Sequence, residues 1–134
     1  MKYEVLDHMA DVMIRCTGKD LCECFENMAY AMFDQMVDTK NIEHSVEYNI
    51  EVSASNDEEK LYSFLSELLF VMDTESLVFN DFKVTIKNDT VKCRSKGEHL
   101  NKRKHRAKSE IKAITYHMLS VDRDIPAVTA IFDV

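Results

Sequence analysis

Tryptophan is missing from this sequence, proline occurs once and glycine only twice in 134 residues. Few tight turns are therefore forced, and neither a flexible linker nor a Gly-rich phosphate loop is present. No stretch approaches the ~20 consecutive apolar residues that cross a bilayer. Met1-Lys2-Tyr3-Glu4 shows no apolar run behind a basic region, so no secretory leader is expected. A soluble cytoplasmic protein with no membrane partner follows as the expectation. Hydrophobic residues make up 46% of the chain, ordinary for a globular protein and too many for a disordered one. The length suits one domain spanning residues 1–134.

Four cysteines are present, Cys16, Cys22, Cys24 and Cys93. Cys22 and Cys24 fall inside a helical pattern, where a spacing of two turns side chains ~200° apart at ~100° per residue, so they cannot grip one ion. Cys16 and Cys93 sit at alternating strand positions, where a free thiol packs as a small hydrophobe. Reduced thiols are the expectation.

The formal net charge of −7 hides an asymmetry. From Arg94 to Lys112 eight Lys/Arg stand against two Glu, a local +6, which leaves −13 on the remainder. A basic segment on an acidic body suits a localised anionic partner such as phosphate or RNA, with Lys102, Arg103, Lys104 and Arg106 as candidate contacts. A solvated loop balanced by nearby carboxylates is the plainer alternative. Nucleic-acid binding over the whole surface is disfavoured, because the acidic body repels a phosphate backbone.

Periodicity predicts the elements. Tyr3–Leu6 and Val12–Cys16 read as strands around a corner at Asp7–Asp11. Asp20 caps a helix, with Glu23 completing a capping-box-like pair. Leu21, Cys24, Phe25, Met28, Met32 and Met36 then form one apolar stripe. Val46 to Ala54 alternates as a strand with one polar face. Asn56-Asp57 caps a second helix, with Leu61, Phe64, Leu65, Leu68, Leu69 and Met72 as its stripe. Val78–Lys87 and Thr90–Ser95 flank Asn88-Asp89 as a hairpin. Gly97–Lys108 reads as a polar, basic connection. Glu110–Val121 is ambiguous, and its β-branched and aromatic content favours a strand. After Asp122-Arg123-Asp124, Ala127–Phe132 is a final strand. The expected fold is α+β, a mostly antiparallel six- or seven-stranded sheet with two helices packed on one face.

Polar clusters lie at both ends of the sequence. Asp11 stands just before an apolar strand and Asp133 just after one. Ca²⁺ and Mg²⁺ prefer carboxylate and carbonyl oxygens. Two carboxylates alone bind weakly, and an oxygen of Val134 can add a third donor. Solvated strand ends are the competing explanation. Beside them, Lys112 can face an anion or serve as a charge partner. In a regular strand Lys112 and His117 point to opposite faces. His8 and His117 can each be a metal ligand, a proton donor or a hydrogen-bonded structural histidine. No nucleophile elbow is present and no base accompanies the cysteines, so nucleophilic catalysis is poorly supported.

Several segments together are more specific: Tyr3-Glu4-Val5-Leu6-Asp7-His8-Met9-Ala10-Asp11; Leu21–Met36 with Phe25-Glu26-Asn27; Gly97-Glu98; His105; Glu110-Ile111-Lys112-Ala113-Ile114-Thr115-Tyr116-His117; and Asp133-Val134. In this order, and along essentially its whole length, the chain resembles the archease family. The resemblance implies a small α+β protein that is not an enzyme but a cofactor of an RtcB-type RNA ligase. Such a protein promotes guanylylation and multiple turnover of the ligase in tRNA splicing and RNA repair. GTP then belongs to the partner ligase, and tRNA is met either indirectly, through that ligase, or by direct contact. The implied metal site falls on Asp11, Asp133 and the backbone of Val134, with Ca²⁺ expected and Mg²⁺ or Mn²⁺ as alternatives. Lys112 is the implied functional lysine, and His8 and His117 are assigned with it to ligase activation. Met9 departs from the family pattern, where threonine is common, and removes a hydroxyl beside Asp11; the last strand also lacks the family's tryptophan. Two other functions compete: an RNA-binding or chaperone-like module acting on tRNA-processing or tRNA-modifying enzymes, and a metal-dependent phosphohydrolase. The last is disfavoured because no water-activating base is identifiable.

Overall fold

The computed structural model describes residues 3–6 and 11–134. In chain order the elements are β1 (Tyr3–Leu6), β2 (Asp11–Thr17), α1 (Leu21–Met36), β3 (Val46–Ser53), α2 (Asp57–Glu75), β4 (Leu77–Lys87), β5 (Thr90–His99), β6 (Ala113–Asp122) and β7 (Ala127–Asp133). A 3₁₀ turn covers Thr39–Asn41. The α+β class, with seven antiparallel-paired strands and two helices, is the one expected. The strands divide between two sheets, ordered β1-β2-β7-β6 and β3-β5-β4. Because β3 and β4 each run antiparallel to β5, they are parallel to each other and need the long crossover that α2 supplies.

Helix α1 explains the division. Besides the predicted stripe it buries Asn27, Ala29, Ala31 and Phe33, so apolar side chains cover most of its circumference. A helix of that kind needs partners on more than one side. It packs on β4 of one sheet and on β2, β7 and β1 of the other, while α2 packs on β6 and on β3, β4 and β5. Aromatic rings knit the layers. Phe25 stacks on Phe64 of α2 at 5.7 Å. Phe33 meets Phe79 edge-on at 5.6 Å and stacks on Phe82 at 5.8 Å.

The caps form as the sequence predicts. Asp20 accepts a hydrogen bond from the Glu23 amide at 2.8 Å, and the Glu23 carboxylate accepts one from the Lys19 amide at 3.0 Å. Asn56 accepts the Glu59 amide at 2.8 Å. Arg123, in the β6–β7 turn, donates to both carboxylate oxygens of Asp57 at 2.5 and 2.8 Å, locking that turn to the start of α2. The C-terminal carbonyls of α1, which a helix leaves without partners, are satisfied from the basic connection. The Lys108 amide donates to Met36 O at 2.8 Å and the Ser109 amide to Gln35 O at 3.0 Å.

Strand β5 runs past its expected end to His99, and Gly97 makes this possible. A Cβ there would lie 1.8 Å from Val78 O, at the point where β4 shifts register between Phe79 and Asp81. On the open edge of β4, the Glu26 carboxylate accepts the Val84 amide at 2.8 Å, covering one unpaired donor of an edge strand.

Candidate functional site

Alternation fixes which side chains share a face of the four-stranded sheet. Val12, Ile14, Cys16, Val128, Ala130 and Phe132 belong to the core and its packed margin. Asp11, Met13, Ile131 and Asp133 therefore occupy the opposite face. The β2–β7 register sets Asp11 directly opposite Asp133, and the β6–β7 register sets Ala113 opposite Asp133 on its other side. The Lys112 amide donates to Asp133 O at 2.8 Å. Four of the residues singled out in the sequence, Asp11, Asp133, Val134 and Lys112, are thus brought to one end of one sheet. Asp11 and Asp133 are half-buried, and Lys112 and Val134 are exposed.

Directly opposed residues have Cβ atoms about 4.5–5.5 Å apart, and like charges placed so are destabilising. A divalent cation held between the carboxylates turns that repulsion into attraction, and the donors are the hard oxygens that Ca²⁺ and Mg²⁺ select. By the chemistry of its donors the pair fits such an ion. Among the described residues no third Asp, Glu, His or Cys joins it, so a cation bound there would need backbone oxygens and waters to complete its coordination shell.

The two histidines fare differently. His8 lies outside the described residues. His117 is exposed and falls in the interval of β6 between Thr115 and Ser120, where pairing with β7 is interrupted. Met118 adopts φ 55° there, so strict alternation of faces ends at Thr115. Tyr116 stacks on Tyr62 of α2 at 4.0 Å and 13° between planes. The Lys112 backbone is thus held against Asp133, while His117 has no opposing residue in the register.

The basic connection is anchored rather than loose. Its hub is Glu98, which accepts the Glu43 amide at 2.7 Å, His105 Nε2 at 2.8 Å and Lys104 Nζ at 2.9 Å. Burial pushes the Glu98 carboxyl up, but these three donors outweigh it and hold the group down at about 2. His105 is fully buried. Its Nδ1 accepts the Asn101 amide at 2.9 Å, which leaves the ring proton on Nε2, pointing at Glu98. Lys104 also pairs with Glu43 at 3.4 Å and is taken up by its carboxylates; Lys102, Arg103 and Arg106 are exposed. Farther along, Lys108 pairs with Asp34 at 3.5 Å. Burial raises the Asp34 carboxyl, and hydrogen bonds from Tyr3 (2.6 Å) and Thr39 (2.7 Å) together with Lys108 bring it below its usual range.

The Glu98–His105 pair carried no assigned role in the sequence. Gly97-Glu98 and His105 were visible only as matching segments, since nothing in their spacing says that strand β5 continues to His99. Three of the four thiols are buried, and desolvation pushes Cys16 up to about 12 and Cys24 and Cys93 up to about 11; Cys22 is half-exposed.

Residues 3–134 match the model of the Archease protein family (MTH1598/TM1083). A Pyrococcus furiosus protein named archease is 44% identical over 126 residues, covering 91% of this chain and 89% of the relative. An archease-like protein of Dictyostelium discoideum is 35% identical over 128 residues, covering 91% and 85%. The solution structure of Methanobacterium thermoautotrophicum protein 1598 superposes with a TM-score of 0.81 at 33% identity, covering 98% of both chains. A Thermotoga maritima crystal structure, described as an archease and possible chaperone, shares the fold with a TM-score of 0.63 at 19% identity, covering 96% and 94%.

Proposed function

The chain belongs to the archease family, and from that premise we propose that it is a non-catalytic cofactor of an RtcB-type RNA ligase. In this reading it promotes guanylylation of the ligase and its repeated turnover in tRNA splicing and RNA repair, in the cytoplasm. GTP is bound by the ligase. The observation that carries the reading is the direct opposition of Asp11 and Asp133 across β2 and β7, with the Lys112 amide on Asp133 O. Asp11, Asp133 and the carbonyl of Val134 would hold a divalent cation, Ca²⁺ before Mg²⁺ or Mn²⁺. The cation would neutralise the two carboxylates, which leaves Lys112 as the positive charge at the end of the sheet. Lys112, exposed at that end, would reach a phosphate or an acidic group of the ligase, and His8 and His117 are assigned with it to ligase activation.

No nucleophile–base pair accompanies the carboxylates among the described residues, and a cation with a lysine stabilises developing phosphate charge equally well when offered to a partner's active site. The test is covalent guanylylation of the host's own ligase with GTP, followed over time with substoichiometric protein. Faster labelling that is lost in Asp11→Ala is the expected result. Stimulation that survives both Asp11→Ala and Lys112→Ala would refute the assignment of these residues. The word "chaperone" used for the Thermotoga relative supports a second reading, an RNA-binding or chaperone-like module. It predicts salt-sensitive RNA affinity in the absence of any ligase.

A further inference from the structure

The three-stranded sheet buries one face on the helices and turns the other to solvent. Row by row across β3, β5 and β4, the solvent face carries Glu47–Lys96–Asp81, Asn49–Arg94–Lys83, Glu51–Lys92–Thr85 and Ser53–Thr90–Lys87. Acids flank the first row on both sides. The second holds two cations directly opposite each other and no acid, an arrangement that is destabilising by itself. Arg94 reaches Glu47 only at 3.9 Å and Lys92 reaches Glu51 only at 3.7 Å, with more than half of each cation's side chain exposed. No ion pair engages Lys83 or Lys87 among the described residues.

A shallow cavity of about 560 Å³ opens over Asn49, Lys83, Lys92 and Arg94. A second, of about 360 Å³, continues it over Lys87 and Thr90, and the two share Glu51, Thr85 and Lys92. The result is a continuous trough along β5 with four cations and one carboxylate, on a chain of net charge −7. Same-face residues on a strand recur about every 6.8 Å, so the cations are spread along a line rather than gathered at one point.

We propose that this trough binds the phosphate backbone of single-stranded RNA. A protein partner is the lesser candidate, because the well-exposed large apolar residues, Val5, Phe70, Tyr116, Met118, Ile125 and Val134, all lie off this sheet. Protein interfaces are anchored by such residues, whereas a phosphate backbone needs only cations and amide or hydroxyl donors. Asn49, Thr85 and Thr90 supply the latter. The trough has no aromatic platform for bases, so its contacts are to phosphates and carry no base-sequence information. It is also separate from Lys102, Arg103 and Arg106, and lies on the sheet that does not carry Asp11 and Asp133.

The experiment is fluorescence anisotropy with the full chain and a labelled, unstructured RNA of about 12 nucleotides, across salt from about 50 to 200 mM. Three phosphate contacts predict a slope of log K against log salt near −2, at about −0.7 per contact. Lys83→Gln and Arg94→Gln should each make the slope shallower by about 0.7 and weaken binding several-fold. The thermal midpoint should stay the same or rise, since the opposed pair is relieved. Lys102→Gln with Arg103→Gln should leave the slope unchanged. Absence of salt-dependent RNA binding would overturn the proposal. So would binding indifferent to Lys83→Gln and Arg94→Gln, or capture of polyglutamate in preference to RNA. Guanylylation measured without RNA is expected to ignore both substitutions, so failure of the ligase reading and failure of this one are read in different assays.

Discussion

Replacing Glu98 by glutamine tests whether the basic connection is held in place by one carboxylate. Glutamine keeps the shape but offers one acceptor oxygen to three donors and adds an NH₂ that opposes them. Lys104 is a third exposed and can turn to water at little cost. The Nε2–H of fully buried His105 cannot, and a buried donor left without a partner costs about 1–3 kcal/mol. Together with the weakened bond from the Glu43 amide, the expected loss is about 2–3 kcal/mol. For a chain of this size that is a fall in Tm of about 6–10 °C, read by circular dichroism at neutral pH. The pH dependence adds a sign. Glu98 is held at about 2 against an ordinary 4.5, so its stabilisation is present above 4.5 and is lost as pH falls towards 2. The gap between wild type and Glu98→Gln should therefore be constant above pH 5 and close through that window. A Tm within 2 °C of wild type, or a gap that does not close in acid, would refute the reasoning.

Two further outcomes follow from packing. Phe33→Ala removes a fully buried ring in contact with Phe79 and Phe82 and should cost about 3–5 kcal/mol in urea denaturation. With Cys16, Cys24 and Cys93 buried and Cys22 half-exposed, Ellman's reagent at pH 8 should titrate Cys22 in the native protein and all four thiols in denaturant.

How far the sequence could be read depended on the range of the interaction concerned. Asp20, Leu21–Met36 and Asn56 announced their helices because capping and the 3.6-residue stripe are local. Val46–Ser53 was equally plain, since each alternate residue meets water. The division into two sheets was not legible: the residues of α1 that require a second sheet, Ala29, Ala31 and Phe33, only widen a stripe already apolar. The Thr115–Ser120 interruption was hidden as well, because Ile114, Tyr116 and Met118 preserve the alternation that the backbone abandons. At the candidate site, the types and placement of Asp11, Asp133 and Lys112 could be read, whereas their meeting depended on β7 lying between β2 and β6. Glu98 and His105 stayed obscure because a buried ion-paired hub differs from a solvated charge only in what surrounds it.

The opposition of Asp11 and Asp133 joins residues about 120 positions apart in the chain. That pair cannot assemble until β7 is seated against β2. A ligand that prefers the pair also stabilises the closed sheet, by RT ln(1 + [L]/Kd). If a cation binds there, its occupancy is a report on the β2–β7 pairing: a chain in which β7 has come away from β2 has no site to offer.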